Sequence, residues 1–400
     1  MKDSRVYKVI EDDDSAWIMY DSEGRDPYFK KFITDKTVVT SVAIVAKQNV
    51  FLIVHELDAD NFKDLDDTLI LYEKRRELIN SIEAILKKLG YPSRIYLNFS
   101  DSLDVNTDVL GYGTYKFLSN NISNMYSKGN KEVKFLSADE IIYSLIDSKS
   151  DEDIYYMKIA ANRALEIIES SFKKVKIGMT EREVVNLFHD EFNLKPQYFE
   201  KYGIVNEYYA WNESGCPIVL TGPNLAKGGH CEASNQKIKE GFTIYCDFGV
   251  IIELQDGRKY ASDLQRMGYV LRKNEKFPPK EVINIFNTLK ESIREGVKNC
   301  NPNKRGYEID EIVRTYLTEK GYKSYNHATG HPVGEIAHSP GTSLSPKGSM
   351  RSNLFLKENG VYTIEPRIQI ENGGSIEEMI QVTKNGGISL CRMQEDIYLI

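Results

Sequence analysis

The chain contains six histidines, His55, His189, His230, His327, His331 and His338, and three of them fall within twelve residues. In the run His327-Ala-Thr-Gly-His331-Pro-Val-Gly-Glu-Ile-Ala-His338 the steps are four and seven. Gly330, Pro332 and Gly334 break any continuous helix there, so the imidazoles are expected to project from a loop or a strand pair. Clustered imidazoles alone are compatible with surface or satisfied core positions; the carboxylates around them turn the reading towards metal. Asp247 lies in FTIYCDFGVIIEL and Asp263 in RKYASDLQRMGYV, two strand-like runs in which an apolar residue would be usual. Glu365, in VYTIEP, and Glu377, in SIEEMI, have similar surroundings. Burying an unpaired carboxylate costs several kcal/mol, so acids inside such runs call for a cation. Four carboxylates and one imidazole suit two divalent ions. Hard oxygen donors favour manganese or another first-row dication over a structural zinc held by thiolates.

These residues constrain the elements that carry them. The two aspartate-bearing runs are joined by Asp256-Gly257, a hairpin signal. A two-residue turn there pairs 247 with 266 and 250 with 263, which puts the aspartates on opposite faces. A shared site requires an odd loop or a bulge, such as Asp256-Gly257-Arg258 with Gly257 left-handed. Further upstream, Thr37 to Ala46 and Val50 to Val54 read as strands, and Leu69 to Leu89, followed by Gly90 and Pro92, as a helix. The polar stretch Asp147 to Asp153 marks a domain boundary ahead of a capped amphipathic helix that reaches Val175 and stops at Gly178. Thr180-Glu181-Arg182-Glu183 is a capping box that starts a second helix through Phe188. A similar pair begins 126 residues later: Pro279 to Asn299, a loop at Asn301 to Gly306, then a helix from Glu308 to Gly321. Strand patterns follow each pair, so this part reads as two similar halves with a site between them.

Composition excludes several other classes. With 400 residues of which 41% are hydrophobic, the chain is not mainly disordered. Its 59 acidic residues exceed the 52 basic ones by seven, so it offers phosphate backbones no excess positive charge, and no nucleic-acid partner is expected. No run approaches the roughly 18 to 20 apolar residues of a membrane span. Met1-Lys2-Asp3-Ser4-Arg5 leads into charged sequence without a signal core, so a cytoplasmic protein without a membrane partner is expected. Cys216, Cys231, Cys246, Cys300 and Cys391 are an odd number in no CxxC pair and are expected to be reduced thiols in or near a core.

In order, Asp247, Asp263, His331, Glu365 and Glu377, in the contexts CDFG, SDLQR, GHPVG, IEP and IEE, closely resemble the pita-bread metallopeptidases. That family includes aminopeptidase P, prolidase, methionine aminopeptidase and the metal-free creatinase. The resemblance implies an α+β fold. Residues 1–150 would form a creatinase/prolidase-type α/β domain. Residues 151–400 would form the pita-bread catalytic domain, two similar halves with a curved antiparallel sheet covered by helices. It assigns Asp263 and Glu377 as bridges between two divalent ions, Asp247 as a bidentate ligand of one, and His331 and Glu365 as ligands of the other. Manganese is the implied ion, with cobalt or zinc as alternatives. The implied activity is hydrolysis of the amide bond preceding proline at the amino terminus of peptides, by attack of a metal-bridging hydroxide, in an Xaa-Pro aminopeptidase or dipeptidase. Glu365 would act as general base, His338 would stabilise the oxyanion, His230 would lie near the leaving nitrogen, and His327 would line the pocket beyond the scissile bond. A homodimer is implied as well. His55 and His189 match nothing and are expected to be structural or surface residues.

The chain departs from the family pattern at several positions: Ser375 replaces the usual arginine two residues before the last metal glutamate, Ser339-Pro340 follows His338, Pro332 stands inside GHxxG, and Gln265 replaces a threonine. The segment between Asp247 and Asp263 is also longer than the common form. None of these removes a ligand, so they bear on substrate choice. The complete ligand set argues against the two alternatives, a creatinase-like metal-free amidinohydrolase and a non-catalytic binding protein.

Overall fold

The computed structural model describes residues 3–62, 68–102, 104–212, 215–227 and 231–400, and the chain falls into two compact units, Met1–Leu145 and Ile146–Ile400. In the first unit, β1 (Ser15–Ser22), β2 (Thr40–Ala46), β3 (Asn49–His55), β4 (Thr68–Tyr72), β5 (Arg94–Leu97) and β6 (Lys134–Ser137) form one mixed sheet in the order β4-β3-β2-β1-β5-β6. Three helices are set among these strands: α1 (Arg75–Lys88) between β4 and β5, α2 (Tyr112–Lys128) between β5 and β6, and α3 (Asp139–Asp147) after β6, the last containing the division between the units. Leu78, Ile82 and Ile85 recur at helical spacing along α1 and pack with Ile18, Val42, Ile44 and Ile53 of the sheet. The helix expected over Leu69–Leu89 is corrected here: residues 68–72 form β4, parallel to β3, and the helix starts at Arg75. The Leu69-Ile70-Leu71-Tyr72 run has no helical period, and the edge of β3 offers it a partner. β2 likewise starts at Thr40 and not at Thr37.

The second unit begins with α4 (Asp151–Phe172) and α5 (Glu181–Phe192). Both start with reciprocal caps: Asp153 N–H donates to Ser150 Oγ at 3.0 Å while Ser150 N–H donates to Asp153 Oδ2 at 2.8 Å, and Thr180 and Glu183 do the same for α5. α5 runs four residues past the expected end at Phe188. Then come α6 (Tyr198–Lys201), β7 (Ile204–Tyr209), β8 (Ile218–Thr221), β9 (Thr243–Phe248), β10 (Val250–Leu254), β11 (Lys259–Ala261) and β12 (Leu264–Tyr269). A second helix pair, α7 (Lys280–Asn299) and α8 (Gly306–Glu319), leads through α9 (Met350–Asn353) to β13 (Val361–Ile364), β14 (Arg367–Ile368), β15 (Gly374–Ser375), β16 (Glu378–Thr383), β17 (Gly386–Ser389) and β18 (Tyr398–Leu399). The sheets are β11-β10-β7, β18-β12-β9-β8, β13-β16-β17 and β14-β15, all antiparallel except for β12 with β18.

The register between the two aspartate-bearing runs decides whether a site exists. Asp247 pairs with Gln265 and Glu253 with Lys259, a single register that places Asp263 opposite Gly249. Because directly opposite residues share a face and alternate residues do too, Asp247 and Asp263 point the same way. The loop is Gln255-Asp256-Gly257, closed by the Leu254 N–H on Arg258 O at 2.9 Å, with Gly257 at φ +86°. It has the expected odd length but lies one residue earlier than Asp256-Gly257-Arg258. Gly249 is required by close approach of the chain: a Cβ there would stand 2.0 Å from Ser262 O. All five cysteines are free, four of them buried. No helix among the described residues is long and apolar enough to cross a membrane.

Candidate metal centre

Asp247 lies near the end of β9, Asp263 immediately before β12, Glu365 just after β13 and Glu377 just before β16. A bridge pairs Gln265 with Glu377, whose N–H donates to Gln265 O at 3.1 Å, and this joins the two halves. Arg266, fully buried, donates to Glu377 O at 2.8 Å and pairs with Glu378 at 3.1 Å, bracing the turn from behind. The histidine segment is a loop held by short bridges, Gly330 to Leu344 and Pro332 to Tyr362. Asp310 of α8 accepts the Thr329 hydroxyl at 2.7 Å, and Arg314 of the same helix donates to Tyr325 O and His327 O at 2.6 and 2.5 Å. A helix therefore fixes the backbone from which the imidazoles project.

Three groups of side chains bring ligand atoms within 4.8 Å of one another: Asp247 with Asp263 and Glu377; His331 with Glu365 and Glu377; and Asp263 with His331 and His338. His331 Nε2 stands 3.7 Å from Asp263 Oδ2 and 3.8 Å from both Glu365 Oε1 and Glu377 Oε1. Two donors each about 2.1 Å from one ion lie at most ~4.2 Å apart, so these separations accommodate a cation. His331 Nδ1–H donates to Pro332 O at 3.2 Å, which turns the Nε2 lone pair towards the carboxylates.

The electrostatics fit the same conclusion. Asp263 Oδ1 and both Glu377 oxygens are buried with no hydrogen-bond partner. Burial, then the charges of Glu377 and Asp247, push the Asp263 carboxyl well above the ordinary carboxylate range. Glu365 and Glu377 are raised in the same way, by burial first and neighbouring acids second. Burial and the facing His338 draw His331 down to about 3, so its ring is neutral and able to bind metal. Buried acids crowded beside a neutral imidazole are a donor set suited to hard divalent cations.

The cluster lies in a cleft of about 490 Å³ lined also by Trp211, Ile218, Tyr245, Gln265, His327, His338, Arg367 and Ser375. His327 stacks on Tyr325 at 4.6 Å, and the His338 ring, exposed, lies 4.3 Å from that of His331. His230 lies outside the described residues. His189, on α5, reaches Cys216 O at 3.0 Å, and His55 faces Tyr72 in the first unit. Sequence reasoning did not single out Tyr245, whose hydroxyl donates to Asp247 Oδ2 at 3.0 Å, or Arg367. Each stands two residues from a named acid on extended chain, so strand alternation was the signal available. Gln265, noted only as a departure, donates through one amide nitrogen to Asp247 Oδ2 at 3.2 Å and Glu365 Oε2 at 3.0 Å.

An acid-rich cluster on this α+β frame defines the class as proteins able to hold a metal ion among buried carboxylates. The model of metallopeptidase family M24 matches residues 155–384, and the chain belongs to that family. The chain is 26% identical over 358 residues, covering 88% of its length and 87% of the relative, to an Xaa-Pro dipeptidase of Pyrococcus horikoshii. It is 33% identical over 255 residues, 63% of its length and 64% of the relative, to an uncharacterised peptidase of Staphylococcus aureus. Among solved structures it is similar in fold to an X-Pro aminopeptidase from Thermotoga maritima, with TM-score 0.61, 20% identity and coverage of 99% of this chain and 100% of that one. An Xaa-Pro dipeptidase from Bacillus anthracis gives TM-score 0.60 at 22% identity, covering 96% and 95%. The expected pita-bread fold is thereby borne out.

Proposed function

We propose that this chain is an Xaa-Pro exopeptidase, hydrolysing the amide bond before proline at the amino terminus of short peptides with two divalent ions held by Asp247, Asp263, His331, Glu365 and Glu377. The observation that carries this reading is the overlap of the ligand groups: Asp263, His331 and Glu377 each belong to two of them, and of these the two carboxylates have the paired oxygens that two like-charged ions can share. The relative named an Xaa-Pro dipeptidase supports the substrate class. When bound, such ions lower the pKa of water and supply hydroxide at neutral pH.

The remaining work falls to the chain's own groups. Glu365, steadied by the Gln265 amide, takes the proton of the attacking water. His338, exposed beside His331, donates to the carbonyl oxygen as it gains charge. His327 lines the pocket beyond the scissile bond, and Trp211, Ile218 and Tyr245 give the peptide an apolar wall. His230 beside the leaving nitrogen belongs to the same reading. So do manganese as the ion, residues 1–150 as a prolidase-type domain ahead of a catalytic domain at 151–400, and a cytoplasmic homodimer.

The test is hydrolysis of a matched Xaa-Pro dipeptide and Xaa-Pro-Yaa tripeptide by manganese-loaded protein, each with a chelator control. Chelator-sensitive release of the first residue is expected, and the ratio of the two rates separates dipeptidase from aminopeptidase. Metal binding without cleavage of either peptide would overturn the substrate assignment.

A further inference from the structure

Asp147 closes α3 and is only 1% exposed. Its Oδ2 accepts two bonds from a residue 195 positions later, the Thr342 N–H at 2.9 Å and the Thr342 hydroxyl at 2.7 Å. Oδ1 is buried without a hydrogen bond and is pressed against the chain: a Cβ on Gly341, at φ +140°, would stand 2.0 Å from it. Tyr362 of β13, itself fully buried, faces the same carboxylate. A buried carboxylate costs more than an apolar side chain of the same size, so packing alone does not account for it. What Asp147 adds is direction, because it fixes the backbone at Gly341 and Thr342, just beyond His338.

The rest of that segment is tied down as well. Arg351 Nε donates to Gly341 O at 2.6 Å, and the Ser339 N–H donates to Pro332 O at 3.0 Å. His338 between these ties is exposed and lies in neither helix nor strand. An imidazole on such a loop meets one carbonyl oxygen reproducibly only when the backbone beside it is held. We infer that Asp147 is a positioning residue that sets the His338 imidazole against the substrate carbonyl, acting through Gly341 and Thr342. The inference rests on the role proposed for His338 in the exopeptidase reaction. Because one oxygen takes both bonds from Thr342, an amide at position 147 can do the same work as the carboxylate.

The experiment measures kcat and KM for alanylproline and alanylprolylalanine on manganese-loaded protein, together with manganese per chain. It also follows the ring resonance of His338 by nuclear magnetic resonance, assigned by its loss in His338→Ala. Asp147→Ala should lower kcat about 10- to 100-fold, with KM changed by at most about threefold and metal content unchanged. Asp147→Asn should recover most of that loss. Thr342→Val, which keeps the N–H bond and drops the hydroxyl, should lower kcat about threefold and decides the matter if Asp147→Ala does not fold. In a His338→Ala background the same changes should cost nothing further in kcat. The His338 resonance should move in Asp147→Ala and Thr342→Val and hold in Asp147→Asn. Equal losses with and without His338, or an unmoved resonance, overturn the positioning role and leave the exopeptidase reading intact. If the unaltered protein cleaves neither peptide while the resonance still moves, the exopeptidase reading fails and the placement of His338 by Asp147 stands.

Discussion

Asp263 is wholly buried between Asp247 and Glu377, so its charge has opposite effects with and without metal. Asp263→Asn is expected to remove bound metal and to lower activity at least ~1000-fold, while the metal-free protein melts no lower than before because a repulsion has been relieved. Metal content and calorimetry of the same sample check both halves; metal and activity retained together would mean that another residue forms the bridge. The same chemistry sets a pH dependence. Carboxyls raised in the fold hold more protons there than in the unfolded chain, so their contribution to stability falls as pH rises above the ordinary carboxylate values. His331, drawn down to about 3, holds fewer, so its contribution grows from there to about pH 6.5 and is constant above. Metal competes with protons for these acids, whose hold on protons is raised, so it binds more tightly as pH rises. Manganese should therefore raise the melting temperature more at pH 8 than at pH 6; an equal rise at both would show that these acids do not receive the ion. Gln265→Leu removes one donor from both Asp247 and Glu365 and should lower kcat by about 10- to 100-fold with metal still bound, as read by steady-state kinetics beside metal analysis.

The strands that deliver the acids are held to close tolerance by backbone contact. Gly249→Ala would force a Cβ to within 2.0 Å of Ser262 O, between the strand segments bearing Asp247 and Asp263. Overpacking of this kind costs about 1–3 kcal/mol, so the variant should melt several degrees lower and bind manganese more weakly. Unchanged affinity would show that the hairpin tolerates movement the site does not need. This hairpin also shows what was legible beforehand. Its odd loop followed from requiring two aspartates to share a face, a parity argument that needs only the alternation of side chains. The exact loop did not, because Gln255-Asp256-Gly257 and Asp256-Gly257-Arg258 satisfy the same parity. Helices α4, α5, α7 and α8 were legible through caps and apolar spacing, which are local. β4 was not, since a short apolar run beside a helix becomes a strand only where a sheet edge is present to receive it. Arg367 escaped attention because a lone arginine in a strand has no signature; its place in the cleft opposite Ser375 appears only in the fold.

At the scale of the whole chain, the buried apolar residues gather into separate clusters. Among the described residues, one draws its members from residues 16 to 126, and two others draw theirs from 154 to 391 and 267 to 382. A fragment from residue 139 to 400, which keeps α3 and the Asp147 contact with Thr342, is expected to melt cooperatively and to bind manganese with the stoichiometry of the full chain. Circular dichroism and metal analysis check this; a fragment that binds no metal would mean the first unit is required to assemble the site. The cysteines provide a further view of that region. Cys231 alone among them is partly exposed, while Cys216 and Cys246 sit by the acid-bearing strands, Cys300 at the end of α7, and Cys391 beside Arg266. Burial pushes all four of the latter thiols up, so each reacts with an alkylating reagent only when its surroundings open. The labelling rates are thus clocks of local opening, three of them in one apolar cluster and that of Cys300 in another. Ions at the acids should slow the clock of Cys246, the residue before Asp247 in β9, more than that of Cys300.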